Sequence, residues 1–352
     1  MWHGDDRSGE AGFALVLTLI VILALSLLTE VMTRWVSSAL DHALAHREEA
    51  EAKRQMAETD AVAMYLLATR PLSIRGLELL LIEQLRSRPG AGPLETALSA
   101  ESYLRLDDRP YRLGDAVLRF QDARGLINLN LGSDYDLYAL LGVFGVEAAA
   151  RGPLISKLQD YVDADSLVRL NGAEAPEYEE AGREPPANAP LRTPWEVRRI
   201  LDWDKVDGIM REDTSWQLLT ATAPLAGFNI NTAPPALLAL IPWMTPDAVE
   251  KVLRWRVERP IASNFYLGLL TGIPVREDPL RDRAFPANSL ILTLSAKHWP
   301  LERRIAVRLT PKSRDHPWII DYDVELPRTA RDMTSEPAAD DLPLSRLLSA
   351  NP

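Results

Sequence analysis

The chain has no cysteine and only five histidines among its 352 residues. Without cysteine it cannot form disulfides, iron–sulfur clusters, zinc sites with cysteine ligands or a catalytic thiol. Basic residues are fewer than acidic ones: the chain has 39 Lys and Arg and 50 Asp and Glu, which give a formal net charge of −11. A general nucleic-acid binder needs a basic surface to neutralise phosphates, so this composition argues against nucleic acid as a partner.

Glycine and proline are missing between Phe13 and Arg70, where apolar residues recur at helical spacing. The part from Ala11 to Thr29 carries no charge, and its 19 residues are just long enough to cross a hydrocarbon core of about 30 Å. The residues before it lack the positive charge of a secretory signal peptide. The sequence therefore predicts one unbroken helix that starts as a membrane span and continues as an amphipathic helix.

The amphipathic part needs a surface to cover its apolar face. The residues that we expect to face a later domain are Ala57, Ala61, Met64, Tyr65 and Ala68.

The sequence after the long helix contains both helical and strand patterns. A second helical pattern runs from Ile74 to Leu85, followed by a Pro/Gly-rich break at Arg88 to Pro93. Strand patterns occur early and late, at Tyr111–Gln121, Gly125–Asn130, Leu290–Leu294, Arg304–Leu309 and Trp318–Leu326. The long middle is helical and loop-rich. This order predicts an α+β fold in which an α-helical domain is inserted into a small α/β domain.

The middle contains a weak internal duplication that begins with "GLINLN" and again with "GFNIN". In each copy an asparagine can satisfy turn backbone, and Ser133 or Thr232 is expected to cap the next helix, with Pro234 in a first-turn position. Each copy therefore predicts a helical hairpin. The second hairpin turn, Ile241–Pro246, has two prolines and no glycine, so few amides are free to bind a phosphate, and DNA binding is disfavoured.

Carboxylates are concentrated in one short stretch, where Asp160, Asp163, Asp165 and Glu174 are candidate ligands of a hard cation. Asp163-x-Asp165 followed by a flexible Asn-Gly turn offers several oxygens of the kind that Ca²⁺ takes. A solvated acidic loop explains the same residues and remains an alternative. A metal-dependent hydrolase is disfavoured because no histidine or nucleophile lies nearby.

The N-terminus resembles the class III signal of type IV pilins and pseudopilins. A short polar leader ends at Gly12, and Phe13 opens the apolar helix as "GFALVL". The resemblance implies that a prepilin peptidase cuts after Gly12 and methylates Phe13. Leu17 stands at the fifth mature position, where the family usually has glutamate. That departure is typical of the minor pseudopilin K family of the type II secretion system, whose helical insertion is similar to residues 160–178, 188–200 and 228–242.

The resemblance implies a type IV pilin-like fold, with the long N-terminal helix packed on a small antiparallel sheet and a large inserted all-α domain of helix-hairpin-helix or SAM-like units. The implied divisions are a leader at 1–12, a transmembrane and polymerisation helix at 13–34, an α/β domain at 35–131 and 287–326, and the insertion at 132–286. Residues 327–352 have the composition of a disordered tail.

The implied function is structural and not enzymatic. As a minor pseudopilin, the protein would sit in the bacterial inner membrane with its bulk in the periplasm and would cap the tip of the pseudopilus. The implied partners are the minor pseudopilins I and J, then H and the major pseudopilin G. The expected partner-helix face is Ala39, Ala43, Ala57, Ala61 and Met64. Calcium is implied too, since relatives bind it in the inserted domain.

A singly anchored periplasmic scaffold or binding protein that never leaves the bilayer is the alternative function. It would keep Met1, whereas a pseudopilin would start with methylated Phe13.

Overall fold

The computed structural model describes residues 8–79, 103–211, 214–275, 282–297, 299–328 and 340–341. The chain forms two compact units, residues 1–54 and residues 55–352. The domain boundaries given above remain predictions.

Helix α1 runs without a break from Ser8 to Thr69, which confirms the predicted continuous helix. Nothing in this stretch breaks the helix, because it has neither proline nor an interior glycine after Gly12. Among the described residues, α1 is the one helix that is long and apolar enough to cross a membrane, judged by length and composition.

The last turns of α1 belong to the second unit and bury one face there. The buried side chains are Met56, Thr59, Ala63, Leu66 and Leu67. The prediction that Ala57, Ala61, Tyr65 and Ala68 face the later domain was therefore wrong, since these residues are exposed, while Met64 is half-buried. Alanines occur on both faces of this segment, and the larger Met56, Leu66 and Leu67 decide which face is buried, because they remove more apolar area from water.

A small antiparallel sheet follows α1. It consists of β1 (Leu72–Ser73), β2 (Gly76–Glu78) and β3 (Tyr103–Leu104). The predicted helix from Ile74 to Leu85 was therefore wrong as far as Leu79, and residues 80–85 and the break at 88–93 lie outside the described residues. Gly76 has a φ of +135°, and a Cβ there would lie 2.0 Å from the Leu104 carbonyl oxygen, so the strand pairing requires glycine.

The main sheet has six strands. They are β4 (Asp107–Leu113), β5 (Ala116–Asp122), β8 (Ser289–Ala296), β9 (Leu301–Leu309), β10 (Trp318–Pro327) and β11 (Asp340–Asp341), in the order β10-β9-β8-β5-β4-β11. All neighbours are antiparallel except β11, which runs parallel to β4. The late strands are confirmed. The early segment Tyr111–Gln121 forms two strands divided by a turn at residues 114–115, and in Gly125–Asn130 only Ile127–Asn128 is a strand, outside this sheet. Asp340 and Asp341, predicted to be disordered, form β11, and Pro327 ends β10.

Helices and turns fill the chain between β5 and β8. The helices are α2 (Asp134–Val143), α3 (Ala148–Val162), α4 (Ala175–Glu180), α5 (Asp207–Met210), α6 (Trp216–Leu219), α7 (Pro235–Leu238), α8 (Pro246–Glu258) and α9 (Asn264–Thr271). Two short parallel strands, β6 (Ile127–Asn128) and β7 (Thr220–Ala221), pair within this region. The long N-terminal helix, the antiparallel sheets and these additional helices confirm the α+β class.

The helix caps predicted after the two asparagine motifs form in the first copy but not in the second. Ser133 caps α2 by accepting a hydrogen bond from the Asp136 amide, as predicted, and α2 and α3 form a hairpin. Thr232 does not cap a helix. Its hydroxyl donates to Asp122 at 2.9 Å, and Pro234 takes the N-cap position of α7 instead of the first turn.

Candidate assembly surface and acidic loop

The apolar start of α1 exposes large side chains on every face. Phe13 is 72% exposed and Leu17, the predicted fifth mature position, is 51% exposed. The few hydroxyls in this stretch are satisfied within the helix, because Thr18, Ser26 and Thr29 donate to backbone carbonyls three or four residues earlier. No hydroxyl of this segment therefore needs water, which suits an apolar environment. Gly12 lies in α1, but its surroundings lie outside the described side chains.

The predicted partner-helix residues are distributed over both units. Ala39 and Ala43 are exposed in the first unit, Ala57 and Ala61 are exposed in the second, and Met64 is half-buried. In the second unit, Ala57 and Ala61 continue at helical spacing into Tyr65, which is 56% exposed. At Ala57 and Ala61 this part of α1 therefore exposes small side chains, which let another helix approach closely, and the larger Tyr65 follows one turn later.

The acidic loop after α3 is organised around Asp160, which is fully buried at the end of that helix. Its carboxylate accepts from the amides of Arg169 at 3.1 Å and Ala173 at 2.9 Å, and from the Arg169 guanidinium at 2.7 Å. The same guanidinium pairs with Asp163. A Cβ on Gly172 would lie 1.9 Å from Asp160, so only glycine fits beside this carboxylate. Arg169 thus serves as the internal cation of the loop, and both carboxylates raise its pKa.

Not all oxygens near Arg169 are satisfied. Three buried acceptor atoms have no hydrogen-bond partner, namely Asp163 Oδ1, Glu174 Oε1 and Asn188 Oδ1. Burial raises the pKa of Glu174, and the nearby Asp160, Asp163 and Asp165 raise it further. Asp165 itself accepts from the Leu167 amide at 2.8 Å.

These unpaired oxygens are the hard donors that Ca²⁺ prefers. Their arrangement is not that of a formed site, because the described residues contain no group of three or more His, Asp or Glu placed to hold a metal. Arg169 takes the cation position between Asp160 and Asp163. The donor chemistry therefore fits calcium, but binding requires the guanidinium to move.

A buried carboxylate that the sequence analysis did not single out connects the helical region to the sheet. Asp122, at the end of β5, accepts from the amides of Arg124 and Ala287 and from the side chains of Asn229 and Thr232, at 2.9–3.1 Å. Burial raises its pKa, and the four donors oppose that shift. One signal was available in the sequence, since an Asp at the end of an apolar strand needs donors, and the second asparagine motif supplies two of them.

Arg304 makes a second buried connection. It lies on β9 and is 1% exposed. Its guanidinium donates to Thr293 on β8 and to the Gln217 backbone carbonyl in α6. The helical region is therefore attached to the sheet by buried charged groups as well as by apolar packing.

Comparison with known proteins gave a family match and matches to solved structures. Residues 125–207 match the family model described as "Type II secretion system (T2SS), protein K". A chain of the GspK-GspI-GspJ complex of the type 2 secretion system from enterotoxigenic Escherichia coli is similar with a TM-score of 0.47 and 17% sequence identity, covering 79% of this chain and 98% of that chain. No curated protein sequence matched.

The family match contains two of the three segments on which the sequence resemblance depended, residues 160–178 and 188–200. It begins beside the 3₁₀ turn Ala123–Gly125 and includes α2, α3, α4 and the acidic loop. The resemblance to minor pseudopilin K is therefore confirmed, because residues 125–207 of this chain match the protein K family of the type II secretion system.

Proposed function

We propose that this chain is the minor pseudopilin that caps the tip of the pseudopilus in a type II secretion system and helps to initiate its assembly. The observation that carries the proposal is the unbroken α1, whose first part exposes apolar side chains on every face and has Leu17 where related subunits have an acid. The role is structural, and no catalytic residue is assigned.

Leu17 argues for the tip on electrostatic grounds. In ordinary subunits of the family, the glutamate at this position is thought to neutralise the N-terminal amine of the subunit above. An unpaired charge among lipid or packed helices costs several kcal/mol. A subunit without the glutamate is therefore tolerated only where no subunit lies above it.

The proposed location follows from the same helix. Before assembly α1 spans the inner membrane with its N-terminus in the cytoplasm, and the bulk of the chain lies in the periplasm. Leaving the bilayer requires the apolar surface of α1 to be buried again, which is worth about 25 cal/mol per Å². Helices of neighbouring pseudopilins supply that surface.

The proposed first partners are the minor pseudopilins I and J, since GspI and GspJ are named with GspK in the similar Escherichia coli complex. Minor pseudopilin H and the major pseudopilin G would follow below them. Their helices would pack on the exposed small residues Ala39, Ala43, Ala57 and Ala61, with Met64 at the edge.

Maturation provides the direct test. A prepilin peptidase would cut after Gly12 and methylate Phe13, so mass spectrometry of the N-terminal peptide should find N-methylphenylalanine. Gly12→Leu should block the cut, and Gly4→Leu in the same leader is the matched control. An intact Met1 on protein that still supports secretion would contradict the proposal and would support the singly anchored scaffold.

We also propose that the acidic loop binds Ca²⁺ through oxygens of Asp163, Glu174 and Asn188 once Arg169 moves away, with Asp160 and Asp165 shaping the loop. A site filled to 100 times its Kd would stabilise the fold by about 2.7 kcal/mol. Thermal unfolding should therefore show a rise in Tm with millimolar Ca²⁺ that EDTA reverses and that Glu174→Gln abolishes. The exposed Glu180→Gln is the control, and an unchanged Tm in the unmodified protein would refute calcium binding.

A further inference from the structure

We propose that Arg169 is a built-in competitor of Ca²⁺: its guanidinium fills the cation position of the acidic loop when calcium is scarce and leaves that position when calcium binds. The inference rests on the proposed calcium binding and adds its regulation, since one residue of this chain then sets how tightly the ion is held. The negative charge of the loop is neutralised in both states, by the protein's own cation or by one from solution.

The guanidinium of Arg169 lies between two carboxylates. Its Nη1 atom donates to Asp160 Oδ1 at 2.7 Å and also pairs with Asp163. Asp160 is fully buried, where a carboxylate without a nearby positive charge is costly. Arg169 therefore supplies the positive charge that a bound metal ion supplies in a calcium site.

The sequence around the loop offers these carboxylates one base. Residues 160–177 contain five acids and Arg169 as their only base. The two nearest bases on either side are engaged elsewhere, because Lys157 and Arg183 pair with other aspartates. When Arg169 turns away, the carboxylates are left as a negative cluster that a cation from solution can neutralise.

The pair can open because Arg169 is accessible to water. Its side chain is 42% exposed, whereas the side chain of Asp160 is completely buried. A long basic side chain at the surface can turn its charged end into water by rotation of the side chain alone. The Arg169 amide donates separately to Asp160 Oδ2 at 3.1 Å, so the loop backbone stays attached when the guanidinium leaves.

A buried oxygen without a partner shows how Ca²⁺ can displace the guanidinium. Glu174 is 3% exposed, and its Oε1 atom has no hydrogen-bond partner. Burial raises the pKa of Glu174, and the charges of Asp160 and Asp163 raise it further, so its carboxylate lies near theirs. The guanidinium makes its bonds in one plane, whereas Ca²⁺ takes six to eight oxygens from all directions. The ion can therefore bind Glu174 in addition to the oxygens that Arg169 gives up.

Calorimetric titration of the full-length chain in detergent with CaCl₂ tests the competition. If the Arg169 pair is closed in about nine of ten molecules, the apparent Kd for Ca²⁺ is raised about tenfold. Arg169→Gln removes the competing charge and should therefore lower the Kd about tenfold. Arg183→Gln makes the same change of charge in a partly exposed pair with Asp204, and it should keep the Kd of the parent protein. An equal Kd for Arg169→Gln and the parent protein would overturn the competitor role and leave calcium binding standing.

Stability without calcium provides a second readout. In EDTA, Arg169→Gln should raise the equilibrium constant of unfolding about tenfold, because the buried Asp160 loses its charged partner. Millimolar Ca²⁺ should reverse this loss, and it should stabilise the variant more than the parent protein. If Arg169→Gln were as stable as the parent protein in EDTA, the guanidinium would not replace the ion, and the proposal would fail.

The titrations also separate this inference from the calcium proposal on which it rests. Calcium binding by Arg169→Gln but not by the parent protein would support the competitor and refute calcium binding by the unmodified chain. No binding by either protein would overturn both. Arg169→Lys keeps a positive charge, so its Kd should stay above that of Arg169→Gln. Equal Kd values for these two variants would overturn the role of charge.

Discussion

Asp122 shows how much a single buried residue can determine. Its carboxylate is 0% exposed and accepts four hydrogen bonds from three different parts of the chain. Asp122→Asn turns one acceptor oxygen into a donor that faces other donors. We expect a loss of about 3 kcal/mol in the free energy of unfolding, because buried polar groups lose their partners.

Urea denaturation of the Asp122→Asn variant measures this loss. Asp323→Asn is the control, because Asp323 is likewise a hydrogen-bonded carboxylate, here paired with Arg303, but is partly exposed to solvent. Such a pair is worth less than about 1 kcal/mol. Equal losses in both variants would contradict the role given to Asp122.

Glu174 makes a pH-dependent contribution to stability. Burial raises its pKa in the folded state, so the protonated form is favoured there. Its contribution to stability is therefore fully present below its unfolded pKa and is lost as pH rises through the folded pKa. In the absence of calcium, Glu174→Gln should stabilise the protein at pH 7, by about 1 kcal/mol, and should give little change at acidic pH.

Thermal unfolding in EDTA across pH 4 to 7.5 measures the effect of Glu174→Gln. Glu179 is an exposed acid in α4, the helix that Glu174 precedes as its N-cap, and Glu179→Gln should leave the pH profile unchanged. A Glu174→Gln variant that is less stable than the parent protein at pH 7 would show that the carboxylate is stabilised by its surroundings.

The acidic loop also shows what sequence reasoning can and cannot find at this scale. The spacing of Asp160, Asp163, Asp165 and Glu174 identified a cluster of hard oxygens. Arg169 was overlooked, although it is the one base in residues 160–180, a stretch with seven acids, and its place in the sequence was a usable signal. Which oxygens it pairs with, and which are left unpaired, depends on the folded loop.

At the scale of elements, the helical spacing of apolar residues and the absence of glycine and proline after Gly12 predicted the 62-residue α1, because the strongest helix-breaking residues are missing there. The helix predicted from Ile74 failed for the opposite reason. Strands β1 and β2 are two and three residues long, and they form because Gly76 admits the Leu104 carbonyl from a distant part of the chain. Local periodicity contains no information about such a contact.

The two faces of α1 in the second unit predict different effects for neighbouring alanines. Ala63 is fully buried and Ala61 is exposed. Ala63→Arg should destabilise the fold by several kcal/mol, because a charge would be buried without a partner. Ala61→Arg should leave the free energy of unfolding within about 0.5 kcal/mol and should instead reduce assembly with partner helices.

Urea denaturation and co-purification with the minor pseudopilins I and J measure the two alanine effects separately. Ala61→Ser keeps the residue small and is the control for assembly. If Ala61→Arg co-purified as well as the parent protein, the exposed small residues on α1 would not be a partner surface.

For the whole molecule, the side chain at position 17 tests whether the chain is the topmost subunit of the filament or lies inside it. Leu17 is exposed on α1, and the residues one helical turn away, Phe13, Ala14, Ile20 and Val21, carry no charged side chain. If the chain is the topmost subunit, no N-terminal amine lies above it, so the side chain at position 17 faces lipid or solvent and has no ionic partner. Leu17→Glu should then cause only a mild loss of secretion, because the glutamate can be protonated or can reach the polar edge of the membrane.

Secretion of an exported enzyme and the amount of membrane-inserted protein should be measured together for Leu17→Glu, with Leu17→Ala as the control that changes size without charge. Normal insertion with severe loss of secretion would mean that Leu17 packs against a partner helix. The protein would then lie inside the filament, where every neighbouring helix is covered, and the tip assignment would fail even if the family assignment stands.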